Sequence, residues 1–305
     1  MNASSGKHLR QSSQLRRLEA LCEGRVKLVE LGSDNALLQQ VNELPRSPGL
    51  QVGVLGGDGS LMRVMSCLNR VLGPEQLPLL VPVPFGTMCT TSRRWDAGTS
   101  PWHTLDAWLY RQAMILCRRE TLSITVDDEE RVGCTVGTGL VAQFFERYEA
   151  MGAHGVLTAT RIAVETFLGS FVSSPMSRRI MQMMQCRLLA DDEPTSTHRF
   201  SLIVSSVFKD VGLGIRVTYQ AGDLPGHVAL VASGLPAHLL GPQFWRVLSG
   251  RPLKDSSGVD RLVERWSLTF PERGSVIIDG DRCQVHSITV RPGPVWSVLT
   301  RAPHE

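Results

Sequence analysis

No uninterrupted apolar stretch in these 305 residues reaches the roughly 18–20 that a membrane-spanning helix requires. No charge of one sign prevails either. The 32 basic and 29 acidic side chains leave a net charge of +3, too even a balance to argue for nucleic acid, although a local patch still allows a peripheral membrane visit. The seven cysteines are odd in number, scattered, and without a Cys-x-x-Cys pair, which is the usage of a reducing compartment rather than of a disulfide framework. The eight histidines show no close metal-ligand spacing, which argues against a zinc hydrolase. A Gly-x-x-x-x-Gly-Lys-Ser/Thr loop is missing, as are His-Arg-Asp and Asp-Phe-Gly triplets, so a P-loop enzyme and a protein kinase are excluded. The first twenty residues are polar and basic, unlike a secretory signal. A globular, cytoplasmic protein is the expectation, and the 42% hydrophobic and 20% charged composition agrees with it.

What is present is a glycine cluster, Gly56-Gly57-Asp58-Gly59-Ser60. It follows a buried-strand run from Leu50 to Leu55, and it precedes Leu61, Val64, Met65, Leu68 and Leu72 at helical spacing. Glycines between a strand and a helix let the backbone turn sharply and approach a ligand. The helix start that follows suits a phosphate. Asp58 sets this turn apart, because a carboxylate repels phosphate unless it binds a cation, takes a proton or meets a sugar hydroxyl. By itself the motif reads equally as a tight structural turn.

Around it the chain predicts a basic helix over 10–22, a strand over Val26–Leu31 and a helix over Asn35–Leu44, then the Gly53 strand. That order is the strand–helix–strand of a parallel α/β sheet. Leu77–Pro84 is a proline-limited strand ending in a second turn, Phe85-Gly86-Thr87, and Thr99–Arg119 reads as one closing helix. From about residue 120 the texture changes. Thr121–Val126 and Val132–Val136 form an expected hairpin, helices follow through Tyr148 and over 156–172, and strands then prevail, Ile215–Tyr219 among them. The expected fold is an α/β nucleotide-binding domain over 1–120 and a β-rich, sandwich-type domain over 121–305, with the extreme C-terminus allowed to return to the first. A third turn, Ile278-Asp279-Gly280-Asp281, carries acids but is also a leading hairpin sequence. Taken together, the three turns suit phosphoryl transfer, which needs phosphate positioning, a divalent cation and a carboxylate near the acceptor.

Gly-Gly-Asp-Gly-Ser at 56–60, Pro-Phe-Gly-Thr at 84–87 and Asp-Gly-Asp at 279–281 resemble the diacylglycerol kinase catalytic-domain family, which includes sphingosine and ceramide kinases and more distantly NAD kinases. Asn2-Ala3-Ser4-Ser5-Gly6-Lys7 is similar to that family's early Asn-Pro-x-Ser-Gly-Lys turn, from which a missing upstream strand is expected. Gly137 to Gln143, with Glu146-Arg-Tyr148, resembles the sphingosine and ceramide kinase branch. Departures are specific: Cys89 replaces an asparagine, Thr90 an aspartate, Asp281 a glutamate and Gln143 an acid. A neutral amide at 143 hydrogen-bonds a hydroxyl or amide but does not pair with an ammonium, which favours ceramide or diacylglycerol over a sphingoid base.

The resemblance implies ATP and Mg²⁺ in a cleft between the domains. Asp58 would act as base or Mg²⁺-network carboxylate, with Asp281 as its catalytic companion and Asp279 beside the metal. Asn2, Ser5, Gly56, Gly57, Gly59, Ser60, Gly86 and Thr87 would hold the nucleotide, and Leu140 and Gln143 the lipid. The implied partners are a lipid at a membrane surface, met through Met176–Met184, and a second copy in a homodimer. The competing readings are a non-catalytic binding homologue, or a kinase of a sphingoid base or soluble polyol.

Overall fold

The computed structural model describes residues 12–86, 89–98, 100–151, 161, 165, 183–212 and 214–301. The chain divides into two units, residues 1–119 with 294–305, and residues 120–293.

The first unit opens with α1 (Ser12–Cys22), whose Leu18 and Cys22 are buried, and α2 (Asp34–Asn42), capped by Ser33. The expected strand Val26–Leu31 does not form. Lys27 and Glu30 interrupt its apolar run and no ladder partner reaches it; Val26 and Leu28 only lean on the core. Strand β1 (Gln51–Gly56) leads into α3 (Asp58–Leu72), which buries Leu61, Val64, Met65, Leu68 and Leu72. The periodic face starts earlier than its first leucine because Gly57 turns the chain directly into the helix. Strand β2 (Leu79–Pro84) then runs parallel to β1. Two short helices follow, α4 (Thr90–Arg94) and α5 (Pro101–Leu109).

Here the expected long helix fails. Arg111 sits at φ 51, in the left-handed region, and Met114–Arg119 forms β3 instead. A short apolar run such as Met-Ile-Leu-Cys fits helix or strand equally. A distant partner, β16 (Trp296–Arg301), decides between them, pairing Val298 with Cys117. The sheet order is β1-β2-β16-β3. Its core is Leu18, Leu55, Val81, Val83, Phe85 and Leu105, with Phe85 edge-on to Trp102 at 5.3 Å.

The second unit holds β4 (Leu122–Val126), β5 (Glu129–Gly133), β6 (Thr135–Gly139) and α6 (Leu140–Ala150). After the undescribed stretch come β7 (Met184–Gln185), β8 (Arg187–Ala190), β9 (Glu193–Pro194), β10 (Arg199–Phe200), β11 (Leu202–Ser206) and β12 (Val228–Ser233). Strands β13 (Val259–Val263), β14 (Trp266–Ile278) and β15 (Asp281–Pro292) close it.

Among the described residues the expected β-rich domain is a ten-stranded sheet, ordered β13-β12-β11-β6-β14-β15-β4-β5, with β8 on β14 and β9 on β8, and a two-stranded sheet of β7 and β10. The long β14 changes partner along its length: 266–269 pair with β8, and 276–278 with β6. Its ladder to β15 shifts between Thr269 and Gly274. Such a bulge bends the strand, so the ten-stranded sheet can put Leu188, Trp266, Val276 and Ile288 into one core, which Phe200 joins from the β10–β7 pair.

The first hairpin turns at Asp127-Asp128, with φ 44 and 75, and pairs Val126 with Glu129. Ile215–Tyr219 forms turns rather than a strand, because Gly212 and Gly214 at positive φ deflect the chain before it. Gly139 is irreplaceable in shape: its φ is 68, and an added Cβ would fall 2.4 Å from the Ser201 carbonyl oxygen. Gly139→Ala is expected to lower stability by about 2–4 kcal/mol, combining overpacking and left-handed strain. A urea midpoint equal to that of the unsubstituted protein would contradict it.

Candidate active site

Strands β1 and β2 end level with each other, Gly56 opposite Pro84, so the turns after them are neighbours. Ligands of open α/β sheets gather at such carboxyl ends. The Phe85 amide donates to the Gly56 carbonyl at 3.1 Å. Beyond it the two glycines meet backbone to backbone. A Cβ on Gly86 would lie 2.4 Å from the Gly57 Cα and 2.9 Å from its nitrogen. Gly57 is the N-cap of α3 in extended conformation and brings no side chain to the cap. The amides of 58–60 therefore emerge at the positive end of a 15-residue helix, where an anion is favoured. Ser60 is buried at this end of the helix.

Asp58 reaches across to the next element. Its two carboxylate oxygens accept the amides of Thr90 at 2.7 Å and Thr91 at 2.8 Å, the first turn of α4. Cys89 precedes that helix in the left-handed region (φ 46, ψ 46) and gives it no side-chain cap, so Asp58 supplies the cap from a distance. The Cys89 thiol is buried between the turns, accepting from the Gly86 amide at 3.2 Å and donating to the Gly56 carbonyl at 3.7 Å. Burial first, and the Asp58 charge second, push this thiol up to about 11.

A group raised in this way favours folding below its ordinary value of 9.0, and that contribution disappears as pH rises toward 11. At pH 8, Cys89 is expected to resist iodoacetamide while the part-exposed Cys117 and Cys283 react. Peptide mapping that finds Cys89 alkylated as fast as those two would overturn this assignment.

In the second unit, Asp279 and Gly280 form a two-residue turn at φ 49 and 96 that pairs Ile278 with Asp281. The hairpin reading of this sequence is thus realised. The Asp279 carboxylate accepts the amides of Cys134 (3.0 and 3.1 Å) and Thr135 (2.9 Å), tying the turn to the β5–β6 connection. Asp281 is exposed at the start of β15. Beside the turn, α6 carries Phe144, Phe145 and Tyr148 in mutual contact, and its Glu149 pairs with Arg282 at 3.1 Å. Leu140 leans on the cluster of Leu202, Val204 and Val231, and Gln143 is half-buried.

The predicted residues thus gather in two groups. Gly56, Gly57, Asp58, Gly59, Ser60 and Gly86 belong to the first unit, and Leu140, Gln143, Asp279 and Asp281 to the second. Asn2, Ser5 and Thr87 lie outside the described residues, as do 156–172 apart from Arg161 and Glu165, and 176–182. Sequence reasoning named Thr90 only as a departure from the family's aspartate and did not name Thr91. Their signal is a helix start whose preceding residue has no capping side chain.

Among the described residues no three His, Cys, Asp or Glu side chains group as metal ligands, and no helix is long and apolar enough to cross a membrane.

Residues 1–116 match the family model of the diacylglycerol kinase catalytic domain. The resemblance stands for the turns at 56–60 and 84–87, which lie inside that match. A diacylglycerol kinase from Bacillus anthracis str. Sterne superposes with a TM-score of 0.63 at 11% identity, over 98% of this chain and 94% of that one. A second structure assigned to that family from the same bacterium gives 0.66 at 12%, over 98% and 95%. At these identities the likeness is one of fold, a diacylglycerol kinase-like α/β unit followed by a large antiparallel sheet. No curated protein matches the sequence.

Proposed function

We propose that the chain is an ATP-dependent lipid kinase acting on a hydroxyl of a neutral lipid such as ceramide or diacylglycerol. The observation that carries this reading is the contact of Gly57 with Gly86 beside the α3 N-terminus, where a side chain on Gly86 is excluded. Such a surface is shaped for polyphosphate. The γ-phosphoryl group passes to the lipid hydroxyl, ADP leaves, and the hydroxyl proton is taken up by Asp58, which would otherwise serve as the carboxylate that holds Mg²⁺. The amides of Gly57, Gly59 and Ser60 hold phosphate, and Gly86, whose own amide is bonded to the Cys89 thiol, completes the nucleotide site by its lack of a side chain.

The donor set fits Mg²⁺. Each Asp58 oxygen accepts one amide and keeps a lone pair, and Mg²⁺ typically takes one or two carboxylates with the rest from phosphate and water. Such an ion neutralises charge on the phosphates. Asp279 and Asp281 are assigned to positioning, and the neutral Gln143 amide to the lipid.

The test is incubation with labelled ATP and Mg²⁺ against a panel of ceramide, diacylglycerol, sphingoid bases and glycerol. Label in a neutral lipid is the expected result; label in sphingoid base or glycerol alone would move the acceptor assignment. A second reading, a nucleotide-binding homologue without turnover, is favoured by one observation: the Asp58 carboxylate is already committed to capping α4. ATP binding with no labelled product would select it.

A further inference from the structure

We infer that residues 235–254 form a docking platform for an anionic lipid bilayer. Two helical turns, Ala237–Leu240 and Phe244–Leu248, send Leu240 and Val247 into the cluster around Val204 and Val231. The residues beside these anchors point the other way. Leu239 is 49% exposed and Trp245 64%, the latter more than any other large apolar side chain among the described residues.

From Leu235 to Lys254 the sequence contains no Asp or Glu, while Arg246, Arg251 and Lys254 are cationic. Arg251 and Lys254 are exposed. In a chain whose net charge is only +3, an acid-free stretch this long with three cations is a local positive surface around an exposed indole. The charge selects the occupant: a bilayer offers anionic headgroups to the cations and an interfacial layer to tryptophan.

The platform is held in shape before any partner arrives. The Gln243 side chain donates to the Lys254 carbonyl at 3.2 Å and accepts the Lys254 amide at 2.6 Å. The Arg246 guanidinium donates to the Pro252 carbonyl at 2.8 Å. These three bonds fold Arg251–Lys254 back beside the Trp245 turn, so apolar and basic groups are presented together.

This inference deepens the lipid-kinase reading and rests on it for the reason that a bilayer would be met at all. Its test keeps the two apart. The full chain is sedimented with phosphatidylcholine vesicles, with and without phosphatidylserine. Tryptophan emission is followed at the same time. The unsubstituted protein is expected to pellet with the anionic vesicles and to shift to the blue. Trp245→Glu and Leu239→Glu alter exposed positions, so folding survives, and each is expected to lose vesicle binding by at least roughly tenfold. Arg251→Glu with Lys254→Glu removes the preference for phosphatidylserine, each cation near an anionic surface being worth about fivefold in partitioning. A Trp245→Phe variant that binds yet shows no blue shift places the inserted indole at 245.

Full vesicle binding by Trp245→Glu overturns the platform, and so does an unsubstituted protein that pellets with neither vesicle. If Trp245→Glu stops labelling vesicle lipid but still labels lipid dispersed in detergent micelles, platform and kinase both stand. If the protein docks but labels no lipid in either form, the platform stands and the kinase reading falls.

Discussion

Gly86→Ala is expected to abolish ATP binding and to lower stability together. The new methyl would sit 2.4 Å from the Gly57 Cα, a backbone atom that no rotamer change can move aside. Separating the turns costs about 1–3 kcal/mol of overpacking. A displacement of around 1 Å in a phosphate cradle costs about 10²-fold in turnover. Gly57→Ala provides the contrast. Its Cβ would meet only the Gly86 Cα, at 3.4 Å, an ordinary contact, and its φ of −92 suits alanine. That variant should melt close to the unsubstituted protein yet bind ATP more weakly, because the methyl lies beside the α3 N-terminus. Titration calorimetry with ATP and a thermal melt of both variants decide the matter. ATP affinity within threefold of normal in Gly86→Ala would remove the paired turns from the nucleotide site.

Asp58→Asn should cut turnover by roughly 10²–10⁴-fold, the range for a positioned acid–base group. The structure adds a second effect. Both carboxylate oxygens accept amides from Thr90 and Thr91, whereas asparagine offers one oxygen and one NH₂. One α4 amide would then face a donor, at a cost of about 1–3 kcal/mol. The change is nearly isosteric yet not silent for folding. The two effects separate by temperature. If Asp58 acts only by holding α4, turnover recovers once the variant is cooled well below its melting point. If it takes part in proton transfer or metal placement, the loss persists in fully folded protein. More than about a tenth of normal kcat in the cooled variant would exclude a chemical role.

Much of the first unit was legible because its signals are local. The leucine and valine spacing from Leu61 to Leu72 marks one helix face, and glycines after Leu55 and Phe85 mark two strand ends. Parallel neighbours then place both turns at the same edge. The Asp279-Gly280 hairpin was legible for the same reason. The Asp58 cap was not: it spans 32 and 33 residues, and nothing in the sequence around Thr90 points back to it. Nor could Met114–Arg119 be told from helix, since its strand character depends on its pairing with the distant Trp296–Arg301. In β14 Pro271 and Gly274 mark the break in the ladder, but the change of partner depends on which strands lie beside each half.

The place of β16 bears on how the protein is made. It is the third strand of the first unit's sheet, between β2 and β3, and it is the last strand of the chain. On a ribosome the first unit therefore emerges early but waits for the whole of the second unit, residues 120–293, before its sheet can close. During that interval the edges of β2 and β3 are unpaired, and Ile115 and Leu116 add apolar surface to the second. Unpaired edges of this kind invite aggregation. The second unit, continuous from 120 to 293, has no such delay. A fragment cut at residue 116, where the family match ends, would lack an inner strand and part of β3. Expressed alone it would remain open at the seam that the last strand of the full chain closes.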